Sequence, residues 1–223
     1  MKYKLHLFLA ISFIYTNTID YKINFYGLNV AKCKMQIEDT VIYKKECVKI
    51  EYFVESTNFM KWLFNVDNHY ITIIDKNNHN IVYYNKKSTQ PNVNNLIFTN
   101  YLDGEVFYNK SSLQINNSEY NIFSLLYDLS FGKTEFTEEQ FVIDREGKKY
   151  FGKINLVANN SFSLDTFEIN SNNDGVEKFT DIFSWALFLP NTSKIINIDI
   201  DKNIVSSCTF NKGVLKFSAE FIE

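Results

Sequence analysis

The stretch 121–131, NIFSLLYDLSF, decides how the rest of the chain is read. Ile122, Phe123, Leu125, Leu126, Leu129 and Phe131 leave it almost no polar face. A helix that is apolar all round belongs in an interior. Six large side chains at roughly 1.5–3 kcal/mol each amount to about 9–18 kcal/mol of burial, an upper figure but too much to leave in water. A membrane-surface helix is disfavoured, because no basic flank accompanies it.

On either side the pattern changes from helical to period two. YKINFYG alternates Tyr21, Ile23 and Phe25, and KCKMQI and CVKIEYFVE continue it. NFMKWLFNVD interrupts with a crowded aromatic turn, Phe59 to Phe64, expected to pack with the 121–131 helix. Strand patterns resume at HYITIID, IVYYNKKS and LIFTNYL. Beyond the helix they run from QFVIDRE through KKYFGKINLVA and TDIFSWALFL to GVLKFSAEFI. The breaks, such as DKNNHN, YLDG, DREGKK and NKG, are short, polar hairpin turns. A dozen strands so joined imply one antiparallel meander, and a sheet that long must curl. The expected fold is therefore mainly all-β. It is a large curved antiparallel meander, open or half-barrel like the lipoprotein carriers, packed around one buried helix at about 121–131. No linker divides residues 19–223, which read as a single β-rich domain.

The bulk numbers exclude more than they select. With 223 residues and 45% hydrophobic content the chain has ample material for a core. A net charge of -3 leaves no electrostatic footprint for nucleic acid. Arg145 is the only arginine, which removes bidentate arginine clamps. The start, MKYK followed by LHLFLAISFIY, reads as a secretory signal peptide over residues 1–18. The apolar run is too short to span a bilayer, and no later segment reads as a transmembrane helix. Export to the periplasm or outer membrane, or secretion, is the expectation.

An exported chain could pair its cysteines. Cys33 shares parity with Met35 and Ile37. Cys47 shares it with Lys49 and Glu51, opposite the face of Val48, Ile50 and Tyr52. Residues paired across a hairpin share a face, so free thiols are expected, and a Cys33–Cys47 disulfide would need a bulge.

Candidate chemistry is sparse. DIDKN, residues 199–203, opens like a calcium loop, but Ile204 and Phe210 stand where glycine and glutamate are needed. A hairpin turn explains it better. His69 lies between Asp67 and Asp75 with no nucleophile beside it, and His79 falls in a turn. Ser124 lacks a nucleophile-elbow context. The Asn-x-Ser/Thr tripeptides at Asn109, Asn116, Asn159 and Asn191 are expected by chance in so Asn-rich a chain. No Cys/His spacing suits zinc. No cofactor, no metal and no catalytic residue is expected, and the chain reads as a non-enzyme.

The order of features resembles the bacterial envelope family known as domain of unknown function 3108. The residues that carry the resemblance are the Tyr-led opening and Gly bend at Tyr21 to Leu28, and the Phe64, Val66, Asp67, Tyr70, Asp75 segment. The apolar helix from Asn121 to Tyr127 continues it. A Trp-bearing strand at Trp185 and Pro190, and a final strand pair through Gly213 and Ala219, complete it. Asn121 replaces the usual acid, Ala31 replaces the second glycine, and the basic residue after the helix is missing. The resemblance implies an exported protein of curved β build with no assigned activity.

Two functional readings follow. In the first, a non-enzymatic periplasmic binding or carrier protein holds a lipid, acyl chain or hydrophobic peptide in a groove lined by Phe59, Trp62, Phe64, Phe123 and Trp185. In the second, a structural or interaction module pairs with an envelope protein through an exposed sheet edge.

Overall fold

The structure, a computed structural model, describes residues 16–102, 105–108, 114–116, 120–131, 140–169 and 180–223. Residues 1–15, where most of the expected signal peptide falls, lie outside the described residues. The first half runs β1 (Thr16–Phe25), β2 (Leu28–Ile42), β3 (Lys45–Ser56), α1 (Asn58–Leu63), β4 (Asp67–Asp75), β5 (Ile81–Gln90), β6 (Val93–Leu102), β7 (Glu105–Tyr108) and β8 (Gln114–Asn116). Helix α2 (Ile122–Phe131) crosses to the second half: β9 (Gln140–Arg145), β10 (Lys148–Ala158), β11 (Ser161–Glu168), α3 (Ile182–Leu187), β12 (Ser193–Asp199), β13 (Ile204–Lys212) and β14 (Leu215–Phe221).

Among the described residues the strands form one 14-stranded sheet in the order β8-β7-β6-β5-β4-β3-β2-β1-β14-β13-β12-β11-β10-β9. Two meanders are thus sewn together by their far ends, with Tyr21 opposite Phe221, Ile23 opposite Ala219 and Phe25 opposite Phe217. The two outer ends meet without a ladder. Tyr120 makes a single parallel bridge to Ile143, and its carbonyl accepts the Asp144 N–H at 2.8 Å. The Tyr108 hydroxyl on β7 donates to Asp144 Oδ2 on β9 at 2.5 Å. The sheet is curved and open, as the strand pattern predicts, rather than a closed barrel.

Helix α2 lies inside the curve. Asn121 starts it, its Oδ1 accepting the N–H groups of Phe123 and Ser124 at 3.0 and 2.9 Å. Leu125 is fully buried, and Ile122 and Leu129 nearly so. Phe123 packs among Tyr52 and Tyr70, with ring centroids 5.0 and 4.7 Å away. One apolar cluster centres on β1–β4 and a second on β9–β13, and the helix touches both.

Two expectations are corrected here. The Trp185 segment is not a strand but helix α3. Asp181 caps it, accepting the N–H groups of Phe183 and Ser184, each at 3.0 Å, and the cap with interior packing outweighs its β-prone composition. The Phe59–Phe64 cluster does not join α2 in the interior. Helix α1 has no buried residue, with Phe59 74% and Trp62 84% exposed. It rides outside the sheet on a connection held by Thr57 N–H to Val30 O and by Ser56 N–H to Val66 O, and only Phe64 turns inward to the core. The buried helix therefore has a companion, but it is α3. Strand β1 has β2 and β14 as its neighbours, so the curved sheet is built of two meanders joined at that pair.

All three cysteines are free. Cys33 stands opposite Val54 and Cys47 opposite Thr40, on opposite faces of the β2–β3 pair.

Candidate functional site

Between the helices and the sheet lies a partly open cavity of about 190 Å³ with walls that are overwhelmingly apolar. Its sheet side is formed by residues of strands on both sides of the β1–β14 seam, among them Ile23, Cys33, Cys208 and Ala219. Helix α2 covers it with Phe123 and Leu126, and α3 with Phe183 and Leu187. The seam creates this space: the strand alternation aims small side chains, Ala219 and the two cysteines, at the same interior region. Burial pushes the thiols of Cys33 and Cys208 up to about 12, so they are packing groups rather than nucleophiles at neutral pH.

One cation joins this wall. Lys194 on β12 is 4% exposed and donates from Nζ to Thr166 Oγ1 at 3.0 Å. Burial pushes its ammonium below the usual lysine value, against the opposing pull of Asp165.

A second group of buried polar residues lies beneath β4–β6. Lys86, with no exposed surface, pairs with Asp181 at 2.6 Å and with Glu146. It also donates to Thr180 Oγ1 at 3.0 Å. Burial alone would lower the Lys86 value, but the two carboxylates raise it. Burial likewise opposes ionisation of Asp181, and the Lys86 charge still brings it below the ordinary value. Nearby Asp144 feels the Lys149 charge, but its own burial outweighs that pull. Burial raises it to about 6, even though Tyr108 and the Gly147 N–H stabilise its anion. The gap beside Asp144 and Glu146 is only about 10 Å³, room for about one water. This cluster ties α3 and the β9–β10 turn to β5.

Of the five expected groove residues, Phe123 lines the cavity. Phe64 packs into the β1–β4 core, and Phe59, Trp62 and Trp185 are exposed. Aromatic content flagged these positions, but exposure depends on which side of the sheet a short helix lands. His69 pairs with Glu51 at 2.7 Å and stacks on Phe53, not with Asp67 or Asp75. His79 Nδ1 meets the buried Asp128 of α2 at 2.6 Å. Asp199–Asn203 forms the turn after β12, with Asp199 Oδ1 accepting the Lys202 N–H at 3.1 Å. Lys86, Asp181, Glu146 and Lys194 were missed by sequence reading. For Lys194 a signal existed: it shares strand parity with the apolar Ile196 and Ile198. Among the described residues no group of three or more His, Cys, Asp or Glu could hold a metal, and no helix is long and apolar enough to cross a membrane.

Comparison with known proteins gives a fold and no family. No family model matches the sequence, and no curated protein matches it either. Among solved structures the chain is similar to a "Beta-barrel-like Protein of Domain of Unknown Function DUF1849 from Brucella abortus". The TM-score is 0.50 and the identity 9%, over 92% of this chain and 95% of that one. This likeness extends the open, curved sheet to an uncharacterised bacterial protein and shows the fold alone. It also corrects the resemblance to domain of unknown function 3108. Weak motifs in a fixed order, Trp185 among them as a strand residue, reflected a β-rich build and not membership of that family.

Proposed function

We propose that the protein is a non-catalytic, exported binding protein that takes a small apolar ligand, or the apolar end of a larger one, into the cavity beneath α2 and α3. The observation that carries this is the cavity itself, about 190 Å³ with an almost wholly apolar wall. A dry apolar cavity of about 150 Å³ is enough to admit benzene, so this one suits a single ring or a short acyl segment. The basic, then apolar, N-terminal run of residues 1–15 supports export to the bacterial envelope. The buried ionic cluster around Lys86 supports a structural rather than a catalytic use of the charged interior, since its members are engaged with one another.

The test is mass spectrometry of small molecules released from protein exported to a bacterial periplasm, with Ala219→Phe as the cavity-filling control. A stoichiometric species that the variant lacks supports the reading. A protein that carries nothing, and whose amide NMR spectrum ignores benzene and hexan-1-ol, overturns it.

The interaction-module reading is favoured by a different observation, the exposure of Phe59, Trp62 and Leu63 on α1. Light scattering of the native protein and of Trp62→Asp tests it. Self-association lost in the variant supports the module, and a monomer in both removes self-association as its basis.

A further inference from the structure

The interior holds two buried lysines with opposite surroundings. Lys86 faces two carboxylates. Lys194, 4% exposed, stands in the wall of the apolar cavity and has a neutral partner, the Thr166 hydroxyl at 3.0 Å. Among the described residues no carboxylate lies within 4.0 Å of its Nζ as an ion pair. An ammonium has three N–H donors, and one hydroxyl accepts only one of them. A buried cation without a hydrogen-bonded anion is costly; Asp165 acts on Lys194 only from beyond ion-pair distance, and the apolar wall supplies no anion. A ligand entering this cavity would meet a hydrocarbon surface with one positive charge set into it.

Resting on the cavity reading above, we propose that the ligand is a monocarboxylate amphiphile whose anionic group pairs with Lys194 while its chain or ring fills the apolar space. The match is one of size as well as charge. A cavity of about 190 Å³ takes a short acyl chain or one aromatic ring. A single lysine neutralises a single carboxylate. An ammonium–carboxylate bond in an apolar wall, charged on both sides, is stronger than the ammonium–hydroxyl bond that Thr166 provides. Lys194 thus selects the class of ligand, and the apolar wall selects its size.

The experiment is a matched pair of probes, hexanoate and hexan-1-ol, titrated at neutral pH into the full chain and into Lys194→Met, followed by calorimetry and amide NMR. The expected result is that the native protein prefers hexanoate by roughly tenfold or more, the lower end of what a hydrogen bond to a charged group contributes. Lys194→Met loses that preference and keeps hexan-1-ol binding. Equal affinities in the native protein overturn the Lys194 pairing and leave the cavity reading standing. A hexanoate preference that survives in Lys194→Met also overturns it, because another group then supplies the charge. Failure of both probes to bind the native protein sinks the cavity reading and this one together. Should Lys194→Met not fold, Lys194→Gln keeps a donor toward Thr166 and takes its place.

Discussion

Lys86 Nζ and Asp181 Oδ2 stand 2.6 Å apart with neither side chain exposed, an ion pair joining the middle of β5 to the first turn of α3. The other oxygen of Asp181 caps that helix through the N–H groups of Phe183 and Ser184. One carboxylate therefore holds α3 in two ways, and α3 is half of the cover over the cavity.

Removing Lys86 leaves two buried carboxylates without a cation. Lys86→Met is expected to lower unfolding free energy by about 3–5 kcal/mol, because Asp181 and Glu146 lose their cation. Lys86→Met combined with Asp181→Asn should recover part of the loss, since Asn still caps. Urea denaturation of the four proteins gives the coupling, and strict additivity of the two changes would show that the pair is not coupled.

Asp144 makes the opposite kind of contribution to pH dependence. Its carboxyl is raised to about 6 by burial, whereas in an unfolded chain it titrates near 4. Between those values the folded state holds the proton and the unfolded state releases it. The contribution of this group to stability therefore falls as pH rises from about 4 to about 6 and is level above, a change of roughly 2–3 kcal/mol. Asp144→Asn is expected to remove that slope. Chemical denaturation of both proteins at pH 4.5 and pH 7 measures it, and an unchanged difference between native and variant across the two values refutes it.

Gly152 on β10 has no room for a side chain. A Cβ there would run into the ring of Phe141 and the Cδ1 of Ile143 on β9. Both neighbours are buried core groups, so they yield poorly. Gly152→Ala is expected to cost about 1–3 kcal/mol by overpacking, read as a fall in thermal midpoint. A midpoint unchanged within error would mean that β9 shifts freely.

Trp62 and Phe123 were grouped as groove residues by their aromatic character, and the structure separates them. Trp62 is 84% exposed, so Trp62→Asp is expected to change stability by no more than about 0.5 kcal/mol. Cavity binding of hexan-1-ol should be unaffected. Phe123→Ala removes a ring packed against Tyr52, Tyr70 and Tyr84 and is expected to cost about 3–5 kcal/mol. Paired melts and titrations check this, and a ligand effect confined to Trp62 would reverse the assignment.

The helix–turn contact between His79 and Asp128 is also open to measurement. His79→Ala removes a side-chain partner 2.6 Å from a buried carboxylate. A loss of about 1–3 kcal/mol is expected, with amide exchange in the second half of α2 accelerated. Exchange that stays at the native rate would show that the contact does not hold the helix.

By itself the sequence determined the elements whose signal is local. Alternation from Tyr21 to Val54 marked β1–β3 and their inward face, and with it the separation of Cys33 from Cys47, because a strand turns every second side chain the same way. The all-apolar run at 121–131 marked a buried helix, because no surface position would tolerate it. Tertiary structure alone decided the rest. The seam of β1 against β14 depends on two segments from opposite ends of the chain meeting. TDIFSWALFL reads as a strand, and it becomes helix α3 because Asp181 caps it and pairs with Lys86. The cavity wall mixes side chains from both meanders and both inner helices, and Lys194 is one lysine among many until the fold closes an apolar interior around it. Periodicity reports how a residue faces its own element. It carries no record of which distant element it will face.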